Sequence, residues 1–101
     1  MTYAKVLSTG DLSSGKMKGV EALGEQILLI NLGGKYYAMG DICTHMTCNL
    51  SRGQIKGATV ICPCHFSVFD IKTGRVLGGP ASRPEPVFKV KIEKESVLVE
   101  L

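Results

Sequence analysis

The chain has no apolar run near the roughly 18 residues that a membrane-spanning helix requires. Its longest, Ile27-Leu28-Leu29-Ile30, is the size of a strand. The opening residues, Met1-Thr2-Tyr3-Ala4-Lys5-Val6, hold neither a basic segment leading into an apolar one nor a twin arginine. The expectation is a cytoplasmic chain with no anchor and no membrane span. Charge of one sign is also scarce. Twelve basic and 9 acidic residues leave a net charge of +3, and lysines and arginines are scattered from Lys5 to Lys94 without a block. No nucleic-acid partner is expected from so dilute a positive charge. Nor does any stretch sustain a helical apolar period, and there is no repeat, linker or low-complexity segment.

What remains is 101 residues, 45% hydrophobic and 21% charged. That composition suits one compact domain over 1–101, small enough that a metal centre or crosslink would be a natural supplement to its core. Short apolar runs alternate with glycines. Tyr3 to Leu7 reads as a first strand, followed by a turn at Ser13-Ser14-Gly15. Glu25 to Leu32 and Lys35 to Met39 read as a hairpin closed by Gly33-Gly34, a pair suited to the positive φ of a tight turn. Ile55 to Ile61 is expected as one strand, and Thr73-Gly74 turns between Phe69-Asp70-Ile71 and Arg75-Val76-Leu77. Phe88, Val90 and Ile92 alternate with Lys89, Lys91 and Glu93 as one half-buried strand, on which Val97 to Leu101 folds back. The expected class is all-β, built of short antiparallel strands.

Two loops, about 41–53 and 62–67, depart from this pattern and hold all four cysteines and both histidines. The first contains Cys43-Thr44-His45-Met46-Thr47-Cys48 and the second Cys62-Pro63-Cys64-His65-Phe66-Ser67. Cys43-x-His45 and Cys62-x-x-His65 each offer one thiolate and one imidazole from a tight turn. Two such turns facing each other can put two sulfurs on one iron and two nitrogens on another, the mixed ligation of a Rieske [2Fe–2S] centre. Imidazoles in place of two thiolates remove negative charge from the irons. The potential then rises from about −400 mV, typical of plant-type ferredoxins, to between roughly −150 and +300 mV. Zinc is the alternative for such ligands, but zinc motifs space like ligands within each arm. Here both arms are mixed and two cysteines are left over.

At these residues the sequence resembles the Rieske family, along its whole length. The pattern C-x-H, sixteen residues, C-x-x-H carries the resemblance. Asn31-Leu32-Gly33-Gly34-Lys35-Tyr36-Tyr37-Ala38 is similar to the hairpin before the first loop of Rieske ferredoxins. Gly79-Pro80-Ala81, in a loop at about 78–81, resembles the proline loop that covers the cluster. The resemblance implies stacked antiparallel sheets with one [2Fe–2S] cluster at one tip. Cys43 and Cys62 would bind its inner iron, and His45 and His65 the outer, partner-facing iron. It also implies a disulfide between Cys48 and Cys64, positions that form a loop-to-loop bond in Rieske proteins of cytochrome bc-type complexes. The ferredoxins of aromatic-ring dioxygenases normally lack both cysteines. The chain is thus most like a soluble Rieske ferredoxin carrying the bc-type disulfide, as in archaeal examples. Intracellular disulfides are found in hyperthermophiles, and the presence of only two Asn and two Gln leans the same way.

Second contacts of the cluster follow from the same resemblance. Ser67 matches a serine that hydrogen-bonds the cluster in high-potential relatives, Phe69 stands where they have a tyrosine, and Pro80 shields the site. A lost donor to a negatively charged sulfur disfavours the reduced state, so the potential is expected below that of quinol-oxidising relatives. The implied function is a monomeric one-electron carrier without chemistry of its own. It would take electrons from a reductase and pass them to an acceptor such as an oxygenase or another terminal oxidoreductase. The alternative is the cluster domain of a larger redox complex: bc-type, metalloid-oxidising or nitrite-reductase-like.

Overall fold

A computed structural model describes residues 2–44, 48–64 and 66–101 of the chain. Eleven strands are assigned among them: β1 (Tyr3–Ser8), β2 (Met17–Ala22), β3 (Glu25–Leu32), β4 (Lys35–Gly40), β5 (Gln54–Lys56), β6 (Thr59–Ile61), β7 (Val68–Asp70), β8 (Val76–Gly78), β9 (Val87–Phe88), β10 (Val90–Glu93) and β11 (Ser96–Glu100). They form three antiparallel sheets, ordered β1-β11-β10, β2-β3-β4-β9 and β5-β6-β7-β8. The all-β expectation holds.

The run Ile27-Leu28-Leu29-Ile30 explains the layering. All four side chains are buried, because β3 lies between β2 and β4 with apolar packing on both faces. Side chains alternate along a strand, so the run serves two cores at once. Ile27 and Leu29 pack with Leu7, Leu12, Ala38, Val97 and Val99. Leu28 and Ile30 pack on the other side with Met39, Leu50, Val60, Phe69, Ile71 and the two cysteines Cys43 and Cys62. The second core therefore ends at the cysteine-bearing loops. At the other end of β3, Leu32 pairs with Lys35 around Gly33 (φ +63°) and Gly34 (φ +95°), the two-residue turn that the sequence indicates.

Three details differ from the sequence expectation. Met17–Ala22 is an edge strand, β2, whose mixed Met-Lys-Gly-Val-Glu-Ala pattern gives no clean alternation. The stretch from Ile55 to Ile61 is a hairpin and not one strand: Gly57 adopts φ +61° and folds β6 back onto β5. The apolar alternation around Phe88 is also divided. Val87–Phe88 pairs with β4, whereas Val90–Glu93 pairs with β11, so the chain changes sheets at Lys89.

Candidate metal centre

The first loop leaves β4 at Gly40 and is closed at its base by backbone bonds. Ile42 forms an antiparallel bridge with Asn49. The Cys43 N–H donates to Cys48 O at 2.8 Å. Beneath this closure Asp41, a buried carboxylate, organises the returning chain. It accepts hydrogen bonds from Asn49 Nδ2 (2.9 Å), Ser51 N (2.7 Å) and Ser51 Oγ (2.9 Å). A buried charge is tolerable when its oxygens are satisfied in this way. Gly19 on β2 makes room for it, since a Cβ there would lie 2.7 Å from both Asp41 Oδ2 and Ser51 Oγ.

The second loop joins β6 to β7. Cys62 N donates to Ser67 O at 2.8 Å, and Phe66 N donates to Cys62 O at 3.1 Å. Phe66 sits at φ +62° with its ring 70% exposed. Cys48 and Cys64 form a disulfide that ties the two loops together across a Cα–Cα distance of 6.4 Å. The two cysteines outside that bond, Cys43 and Cys62, are both buried and belong to the same apolar cluster. Burial of thiolates among Leu28, Met39 and Phe69 is costly unless a cation neutralises them, so this donor pair fits a metal–sulfur centre. His45, His65 and Met46 lie outside the described residues.

A third segment caps the second loop. Ser67 Oγ is fully buried and accepts a hydrogen bond from Ala81 N at 3.1 Å, which leaves its own hydroxyl proton to donate elsewhere. Gly79, at φ +85°, lies directly against the backbone of Phe66 and Ser67. Pro80 itself is exposed; the contacts are made by its neighbours. Phe69 is completely buried on β7, opposite Val60 and Val76.

Sequence reasoning missed two groups at this end of the molecule. Asp41 is one. The other is Glu85, which stands between two prolines with no local pattern to mark it. Its side chain is 3% exposed, and Oε2 has no hydrogen-bond partner among the described residues. Burial pushes its pKa up from 4.5 to about 7; a hydrogen bond from the Thr44 backbone opposes that shift, and the charge of Asp41 adds to it. The unfolded chain ionises this group near 4.5, so between pH 4.5 and 7 the folded state holds a proton that the unfolded state has released. Stability therefore falls as pH rises through that window, by at most about 3 kcal/mol once solvent screening is allowed for, and the loss is complete above it. Thermal unfolding of the cluster-loaded protein from pH 5 to 8 checks this. Glu85→Gln is expected to flatten the profile, and a variant as steep as the wild type would refute the assignment.

Comparisons with known proteins agree with this geometry. A family model described as the Rieske [2Fe-2S] domain matches residues 2–93. The ferredoxin component of biphenyl 2,3-dioxygenase from Rhodococcus jostii (strain RHA1) is 39% identical over 101 residues, covering 100% of this chain and 94% of that protein. The solved complex of reduced oxygenase and oxidized ferredoxin in carbazole 1,9a-dioxygenase contains a chain with 31% identity and a TM-score of 0.90, covering 96% of this chain and 91% of that one. The ferredoxin of carbazole 1,9a-dioxygenase from Nocardioides aromaticivorans IC177 superposes with a TM-score of 0.93 over 98% of this chain and 97% of its own. At 24% identity it speaks for the fold alone.

Proposed function

The chain belongs to the Rieske [2Fe–2S] family, and from that premise we propose that Cys43 and Cys62 ligate one iron of its cluster and His45 and His65 the other. The protein is a one-electron carrier and not itself a catalyst, like the ferredoxin components it resembles. Its donor is a reductase and its acceptor an oxygenase, and the cytoplasm is its place of work. The observation that carries this reading is the match to a dioxygenase ferredoxin component across nearly the full length of both chains.

The cluster, when bound, takes up and releases a single electron, at a potential raised by its two neutral imidazole ligands. The chain's own residues do the rest. Two apolar-packed cysteines hold the inner end out of water. Ser67, already an acceptor from Ala81, has a hydroxyl proton that it would donate to a bound cluster. Phe69 offers no second donor. The Cys48–Cys64 bond restrains the loops from separating. That bond is also the feature favouring the second reading, a cluster domain of a larger quinol-oxidising complex.

The midpoint potential separates the two. A carrier with Phe69 is expected in the lower half of the Rieske range, below roughly +100 mV. Phe69→Tyr should raise it, by up to about 59 mV for a differential stabilisation near 1.4 kcal/mol. Potentiometric titration at neutral pH is the measurement. A wild-type value near the top of the range favours the quinol-oxidising complex, whereas an unmoved Phe69→Tyr value means that the tyrosine position does not correspond.

A further inference from the structure

Thr44 lies between Cys43 and His45, and all three of its polar groups are bound by one distant segment. Its Oγ1 donates to Arg83 O at 2.6 Å. Arg83 Nη2 donates to its carbonyl at 3.4 Å. Its backbone N–H hydrogen-bonds the Glu85 carboxyl. The segment is anchored in turn, because Glu85 N donates to Gly74 O at 2.8 Å and Gly40 N donates to Pro86 O at 2.9 Å. Gly40 leaves the carboxyl its space: a Cβ there would meet Glu85 Oε1 at 2.6 Å.

Glu85 is a poor choice for stability. One oxygen is buried without a partner among the described residues, and the nearby charge of Asp41 has the same sign. Among the described residues the only ion pair is Lys91 with Glu93, so no lysine or arginine neutralises it. A well-packed apolar side chain would generally be as stable or more so at such a position. An ionisable carboxyl buried at such a cost beside a functional loop points to a role in that function.

We infer that Glu85 is a positioning residue for the cluster: it fixes the Thr44 amide between the two first-loop ligands and, as a carboxylate, holds the midpoint potential below the value a neutral side chain would give. This rests on the assignment of Cys43 and His45 as ligands. A negative charge close to the cluster opposes the arrival of an electron, and low-dielectric surroundings screen it weakly. Arg83 acts on the same amino acid but is exposed, so its charge counts for less.

The test uses the cluster-loaded full chain and two variants, with potentiometry and the EPR spectrum of the reduced state as readouts. Measurement at pH 8 keeps the wild-type carboxyl mostly ionised, given its value of about 7. Glu85→Gln keeps the size and an acceptor for the Thr44 N–H but removes the charge. It should leave the EPR spectrum unchanged and shift the reduction equilibrium about tenfold towards the reduced form, which is about 59 mV for one electron. Glu85→Met removes the acceptor too, and should show a similar rise together with several-fold faster cluster loss on warming. An unchanged potential in whichever variant assembles overturns the proposal, as does failure of both to assemble, since Glu85 would then be purely structural. The ligand assignment fails separately: a Cys43→Ser protein with a native EPR spectrum would sink it whatever Glu85 does.

Discussion

Cys43→Ser and Cys62→Ser proteins should be isolated with almost no iron, where the wild type carries about two irons and two sulfides per chain. Both thiols are buried, at 3% and 1% exposure, at the end of an apolar core that includes Leu28, Met39 and Phe69. A serine there is a poor ligand and also leaves a buried hydroxyl in apolar surroundings. Metal binding free energy in a small domain is folding free energy, so these variants should melt early or fail to accumulate. His45→Cys or His65→Cys should instead shift the spectrum towards a four-cysteine ferredoxin or prevent assembly. Replacing Cys48 or Cys64 should leave the cluster in place and shorten its lifetime on heating, because only the tie between the loops is lost. Iron and sulfide analysis with EPR of the reduced protein distinguishes these cases. A native-looking centre in either Cys43→Ser or Cys62→Ser would remove that cysteine from the ligand set.

The next largest effect is expected from one methyl group. Gly79→Ala would place a Cβ 2.5 Å from Ser67 Cα, 2.8 Å from Phe66 O and 2.9 Å from Ser67 N. All three obstacles are backbone, so none can swing aside. The residue must also hold φ +85°, which costs a non-glycine residue about 1–2 kcal/mol. Overpacking adds about 1–3 kcal/mol. If the loop lifts to relieve it, the buried bond from Ala81 N to Ser67 Oγ is lost, at about 1 kcal/mol. Strain with either the retained clash or the lost bond comes to about 2–5 kcal/mol, a fall in Tm of at least roughly 8 °C for a domain of this size. Gly10→Ala is the control, since a Cβ there meets nothing within 4 Å and its φ is not positive. Melts followed by cluster absorbance and by far-UV circular dichroism should show the loss for Gly79→Ala alone. A Gly79→Ala protein that melts with the control would mean that the 78–81 loop does not bear on the second cysteine loop as described.

By itself, the sequence determined what depends on neighbours along the chain. Side-chain alternation and paired glycines identify strands and tight turns because both act over two to four residues. The β3–β4 hairpin and the all-β class follow from them. Cysteines and histidines gathered in two loops were equally legible, since ligand chemistry needs few residue types at short spacings. The Cys48–Cys64 bond was implied by family resemblance and is present in the structure. Other features were decided only by tertiary contacts. Met17–Ala22 is a strand because β3 offers it an edge, despite its weak pattern. The change of sheet at Lys89 depends on β4 and β11 presenting edges to successive residues. Thr44 meets Arg83 across 39 positions, and Glu85 reaches the same residue from a proline-flanked stretch with no periodicity to interpret. Local propensity has no reach over such distances. A buried carboxyl acquires its neighbours and its raised pKa only when three sheets have closed around it.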